Sequence, residues 1–148
     1  MKKIILFAVL ILSAVSLAGC CQKCRKSREA ATRPIQGIVW HLIQFQGETI
    51  ENDDMFDIFF AADGSVKGIG ACNRFFGTYK VPNPNGVISI SDIASTKMTC
   101  PDIDLETRFL NTLQDVHLYQ LDDKCLYLFV NNKIVAVFEP SAHLKSLD

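Results

Sequence analysis

The chain has 148 residues, 49% of them hydrophobic and 21% charged, with 15 lysines and arginines against 16 aspartates and glutamates. A charge balance this even lacks the basic excess that nucleic-acid binding shows as a patch on a folded domain. Three histidines are scattered, and among six cysteines there is no short metal-ligand spacing joined to them, so neither a zinc site nor another metal or cofactor is expected.

The first element is an address. Met1-Lys2-Lys3 precedes the uncharged apolar run Ile4 to Leu12, the n-region and h-region of an export signal. A permanent membrane helix needs about 20 apolar residues, whereas this run gives way to Ser13, Ser16, Ala18 and Gly19. Leu17-Ala18-Gly19-Cys20 resembles a lipobox, which implies cleavage before Cys20 and diacylglycerol on its thiol. The alternative is an ordinary signal peptide that ends near a cysteine. Two or three acyl chains, at about 0.8 kcal/mol per buried methylene, would make the anchor effectively permanent. Cys21 to Glu29 is polar and basic and reads as a flexible tether whose cations meet anionic headgroups. No aspartate follows Cys20, so the likeness to lipoprotein sorting rules implies the outer membrane, facing the periplasm. Cleavage would also remove Lys2 and Lys3, leaving 13 basic residues against 16 acidic ones and a net charge near −3. The expected organisation is therefore a signal over 1–19, a lipidated tether over 20–34, one domain over 35–140 and a short tail over 141–148.

Within the domain, Ile38 to Ile43 is β-branched and apolar, and Met55 to Phe60 sets Phe56, Ile58 and Phe60 on one face, so both read as strands. Asp63-Gly64 marks a hairpin into Ser65 to Ile69. Phe75 to Val81 follows as a strand, Pro82 to Gly86 as a turn, and Val87 to Ile90 as a strand with one buried face. Ile93 to Met98 continues the sheet less regularly. Pro101 stops it, and Asp102, Asp104 and Glu106 place negative charge where a helix N-terminus favours it. Leu105, Phe109, Leu110, Leu113 and Val116 share one stripe, predicting a core-facing helix of about 14 residues. His117 to Leu121 leaves it as a strand, and Leu126 to Val130 and Ile134 to Phe138 form a hairpin through Asn131-Asn132. The pattern is α+β, mainly antiparallel β: a curved sheet or small open barrel packed with one amphipathic helix.

Two segments carry a family likeness. Gly68-Ile69-Gly70-Ala71-Cys72-Asn73-Arg74-Phe75-Phe76-Gly77-Thr78-Tyr79 and Ile93-Ala94-Ser95-Thr96-Lys97-Met98-Thr99-Cys100-Pro101 closely resemble the META domain, the family that includes the heat-inducible HslJ lipoproteins. Trp40 with Leu42, Phe59 to Gly64, and Glu106, Phe109 and Leu113 add to it, so the likeness spans Ile35 to Phe138. Ala71 stands where the family usually has glycine, and Thr99 where alanine is usual. The resemblance implies a compact antiparallel β domain with one helix, found in envelope proteins linked to stress tolerance, with no enzymatic activity established.

Cys72 and Cys100 occupy the two most family-like places, so the resemblance implies a disulfide between them, the alternative being two buried thiols. Cys125 falls in a predicted strand and reads as a small core residue. Cys21-Gln22-Lys23-Cys24 has redox-motif spacing without the strand and helix context that activates a thiol. Gly68-Ile69-Gly70 lacks the third glycine of a dinucleotide fingerprint and lies between strands, where glycines suit a bend or bulge. No nucleophile elbow, metalloprotease helix or P-loop occurs. Asn73 and Arg74, beside Cys72, are the candidate binding pair, against the plainer reading that Asn73 caps a turn and Arg74 is solvated. Most of Phe56, Phe59, Phe60, Phe75, Phe76 and Phe109 should be core; any lining a groove between sheet and helix would suit a lipid tail or apolar peptide. The expectation is a non-enzymatic envelope module that binds a hydrophobic or protein partner and supports stress tolerance. The alternative is a structural or accessory lipoprotein without a ligand.

Overall fold

The computed structural model describes residues 35–51, 55–82 and 86–141. The expected export signal, Cys20 and its tether lie outside the described residues, as do residues 83–85 of the expected turn and residues 142–148 of the tail.

Among the described residues the period-2 pattern in the sequence becomes nine antiparallel strands: β1 (Val39–Phe45), β2 (Glu48–Thr49), β3 (Asp57–Phe60), β4 (Ser65–Ile69), β5 (Arg74–Lys80), β6 (Ser89–Ser95), β7 (Leu118–Leu121), β8 (Leu126–Val130) and β9 (Lys133–Pro140). The sheet runs β6-β5-β4-β3-β1-β9-β8-β7, with β2 added beside β1. Trp40 and Leu42 of β1, and Phe56, Ile58 and Phe60 around β3, alternate onto one buried face, as strand geometry requires. The turns carry the backbone freedom their residues supply. Gly64 takes φ +87° between β3 and β4, and Asn131 and Asn132 take +49° and +62° between β8 and β9. The β1–β2 hairpin was not among the predicted elements, because its strand of two residues is too short to show a period.

The register shifts in three places, between Leu42 and Gln44, Phe76 and Thr78, and Leu128 and Phe129. Each extra residue bends its strand and raises the local twist. The sheet curls until its two outer strands meet at one point, the bridge between Val87 and Leu118. There Ile88 N–H donates to the His117 carbonyl at 3.1 Å and Tyr119 N–H to the Gly86 carbonyl at 2.6 Å. The sheet is otherwise open. The single helix among the described residues, α1 (Ile103–Asp115), packs against β6 and closes the concave side.

Phe109 of α1 fills the centre. Its ring lies 5.0 Å from Phe56, 5.8 Å from Phe45, 6.1 Å from Phe75 and 6.4 Å from Phe138, most of them edge to face. Phe56, Phe60, Phe75 and Phe109 are thus core, Phe59 is half-buried and Phe76 is exposed. The space between sheet and helix is occupied by side chains.

One expectation is corrected. Cys125 precedes β8 instead of lying in it, in a turn built by Asp122, and is only half-buried. Gly68 lies in β4, which pairs in unbroken register on both sides, while Gly70 opens the bend between β4 and β5 that the glycines were expected to allow. Their need is for space. A Cβ on Gly68 would collide with the Asp57 carbonyl oxygen, and one on Gly70 would lie 2.6 Å from the Glu106 carboxylate.

Candidate functional site

The turn from Gly70 to Asn73 joins β4 to β5, and Gly70 N–H donates to the Asn73 carbonyl at 2.7 Å. That closure turns the next amides inward, toward α1. Glu106 meets them. Its Oε2 accepts the Cys72 and Asn73 N–H groups, both at 2.9 Å, and its Oε1 accepts Asn73 Nδ2 at 2.7 Å. Helical periodicity puts Glu106 one turn before Phe109 and Leu110, on the buried stripe, and only 2% of its surface is exposed. Burying a carboxylate costs heavily unless it is hydrogen-bonded, and these three charge-assisted bonds supply the compensation.

Asn73 carries the network onward. Its Oδ1 accepts the Thr96 hydroxyl and the Met98 N–H, each at 2.7 Å, while Nδ2 also donates to the Met98 carbonyl at 3.1 Å. Both amide hydrogens and both lone pairs are then committed. The Cys72–Cys100 disulfide, with Cα atoms 6.2 Å apart, fastens the same turn to the segment leading into α1.

Asn73 is therefore a hub of the fold, buried to 1%, whereas Arg74 is exposed on β5. The candidate pair is split between the two sides of the strand. Above the hub, Ile93, Met98, Ile103, Thr107 and Leu110 line a groove of about 420 Å³ between β6, the Thr96–Thr99 segment and α1. Met98 is 59% exposed there.

A second buried polar pair lies on the outer face of the sheet. His41 Nδ1 and Asp57 Oδ1 are 2.8 Å apart across the β1–β3 register. Sequence reading missed it because the two residues are 16 positions apart, although an aspartate flanked by Phe56 and Ile58 in a strand was the available signal. Beyond β7, Asp122 accepts the Lys124 and Cys125 N–H groups, at 2.8 and 2.6 Å, and the Tyr127 hydroxyl at 2.8 Å. The two backbone bonds, then the Tyr127 hydroxyl, hold the Asp122 carboxyl below the usual range, and the bond to Asp122 pushes the Tyr127 phenol up to about 12. Among the described residues no three histidine, cysteine or acidic side chains stand together as a metal site.

The META domain model matches residues 33–142, the whole of this folded unit. The chain belongs to the META domain family. The two motif segments from which the resemblance was read meet at the Asn73 side chain, which bonds Thr96 and Met98, and the disulfide links them. No curated protein matches the sequence. The fold is similar to that of a DUF4847 family protein from Bacteroides vulgatus, at 18% identity and a TM-score of 0.59, covering 74% of this chain and 96% of that one. It is also similar to a protein from Burkholderia xenovorans solved by NMR, at 20% identity and a TM-score of 0.60, covering 74% and 85%. At such identities the likeness is one of fold, so the function of this META domain is read from its own groove and hub.

Proposed function

We propose that this META-domain chain is a non-enzymatic envelope lipoprotein, anchored through lipid on Cys20 in the outer membrane, that meets a protein partner and supports envelope integrity under stress. The observation that carries the reading is the groove between β6 and α1, where Met98 is exposed beside Ile93, Ile103 and Leu110. An exposed methionine is a soft, adaptable contact for a partner. The non-enzymatic reading is supported by the hub beneath, whose carboxamide has every hydrogen-bonding position committed to the fold. A lipid tail held between sheet and helix loses its support, because Phe109 and its neighbours fill that space. The same filled core favours the alternative, an accessory lipoprotein without a ligand.

Metabolic labelling with a fatty-acid analogue tests the anchor: label is expected on Cys21→Ser and absent from Cys20→Ser, and label on Cys20→Ser overturns it. A photocrosslinking residue at Thr107, in the groove wall, is expected to give a discrete protein adduct in intact envelopes. The same residue at Lys133, exposed on β9, should not. Equal behaviour at the two positions would put the accessory reading in first place.

A further inference from the structure

Strand β5 alternates strictly: Phe75 and Tyr79 are buried, while Arg74, Phe76, Thr78 and Lys80 are exposed on the outer face of the sheet, opposite the helix. Phe76 stands 57% exposed in that row. It is in register with Lys67 on β4 and, beyond it, Phe59 on β3, and with Ala94 on β6; the Lys67 ammonium sits 5.8 Å from the centre of the Phe59 ring. Strands β4 and β5 hold three cations, Lys67, Arg74 and Lys80, and no acid. The acids on the adjoining strands are engaged, Asp57 by His41 and Asp92 by the Thr78 and Ser91 hydroxyls. The helix side has the reverse balance, with Asp102, Asp104 and Asp115 exposed around the single cation of α1, Arg108. A chain in which acids outnumber bases thus gathers positive charge and an open aromatic ring on one face.

From this face we infer that the domain lies down on a lipid bilayer, with the Phe76 ring in the headgroup layer and Lys67, Arg74 and Lys80 against anionic headgroups. The inference rests on the lipid anchor at Cys20 and says how the anchored domain is oriented. A ring flanked by cations suits a membrane interface, the ring through burial of its apolar surface and the cations through attraction to anionic lipid. One ring and three cations bind weakly alone, but an anchor makes the contact intramolecular. The tether runs 15 residues, from Cys20 to Pro34, and a flexible chain of that length spans about 20 Å. It joins the domain at Ile35, where Gln36 bridges to Phe60 and donates to the Tyr79 hydroxyl at 2.8 Å, so it ends beside the strand that carries Phe76. In this orientation α1, with its exposed acids and Thr107, faces away from the bilayer toward soluble partners.

The test is tryptophan quenching with the lipidated mature chain reconstituted in vesicles of phosphatidylethanolamine and phosphatidylglycerol whose acyl chains carry bromine. Phe76→Trp is compared with Ile134→Trp, exposed on β9 across the sheet, and the buried Trp40 gives both the same background. Quenching about threefold stronger or more is expected in Phe76→Trp, falling to the Ile134→Trp level when phosphatidylcholine replaces the anionic lipid. Adding Lys80→Glu, which reverses one exposed charge, should move the docked-to-free ratio about tenfold or more toward free, with the melting temperature unchanged. Equal quenching in the two tryptophan variants overturns the inference, as does quenching that ignores both the anionic lipid and Lys80→Glu. Equal quenching together with a dimer in sedimentation gives the face to a second copy of the chain instead. Both variants are also hung from a nickel-chelating lipid by a histidine tag in place of Cys20. A chain that carries no fatty acid then removes the anchor, while the quenching still decides the face.

Discussion

Glu106 on α1 and Asn73 at the start of β5 are held 2.7 Å apart, side chain to side chain, although 33 residues separate them in the chain. Through this pair the helix, the β4–β5 turn and the segment after β6 share one set of hydrogen bonds. Replacing Glu106 by glutamine turns an acceptor into a donor facing donors, either the Cys72 and Asn73 amides or Asn73 Nδ2. Glu106→Gln should cost about 2–3 kcal/mol in urea unfolding, the cost of a buried unsatisfied donor. Asn73→Ala should cost a similar amount, and the double variant less than the sum, because the two residues act as one unit.

The disulfide adds a covalent constraint to the same place. It closes a loop of 28 residues, and the chain-entropy relation assigns such a loop about 3–4 kcal/mol. Thermal melting of Cys72→Ser, or of the reduced protein, should show a loss of that order, with Cys125→Ser near neutral.

Gly68→Ala and Gly70→Ala should separate two kinds of crowding. At Gly68 the new methyl meets the fixed Asp57 carbonyl, and at Gly70 it meets a side chain that can shift only by breaking its own bonds. Both should destabilise by about 1–3 kcal/mol or more, Gly68→Ala the more severely, as denaturant midpoints would show.

Phe109→Ala should cost about 3–5 kcal/mol, because four aromatic rings lose their common neighbour, whereas Phe76→Ser at the surface should change stability by no more than about 0.5 kcal/mol.

Tyr127 provides a test by titration. Its phenol is raised to about 12 by the bond to Asp122, so this contact contributes stability that is complete below about pH 10 and is lost as the pH rises through about 12. Asp122 has the opposite sign: its carboxyl is lowered, so its contribution is present above the usual carboxylate range and disappears as the pH falls. Ultraviolet titration should show a late phenol that is absent in Tyr127→Phe and returns toward about 10 in Asp122→Asn.

The sheet was legible from the sequence because alternation and turn chemistry are local. Phe56, Ile58 and Phe60 announce a buried face, and Asp63-Gly64 and Asn131-Asn132 announce their hairpins. The helix was legible for the same reason, with Phe109, Leu110 and Leu113 spaced on one stripe. Glu106 was read as a helix-terminal charge and as part of the family likeness, but nothing nearby in the chain shows that its partners are Cys72 and Asn73. Asn73 was picked out for its place beside Cys72, and its side chain ties the β4–β5 turn to the helix and to the segment after β6 at the floor of the groove. Cys125 was assigned to the core because it adjoins the apolar strand run that begins at Leu126; the Asp122 turn that holds it outside that strand depends on backbone bonds that composition does not reveal. The groove follows from where β6 stops pairing, a property of the assembled sheet.

The seam between β1 and β9 has one more consequence, for how the molecule is made. These strands come from opposite ends of the domain, and Leu42 stands opposite Phe138 in the middle of the sheet. A chain emerging N-terminus first from a ribosome or a translocon can zip β3 to β6 together as it appears. β1 then waits with one side open, and Phe109 lacks its Phe138 neighbour, until the last strand arrives. A polypeptide cut short before Lys133 would keep that open side for good, an apolar template for pairing with other chains. Shielding of the newborn chain, and disposal of truncated copies, are needs written into this strand order.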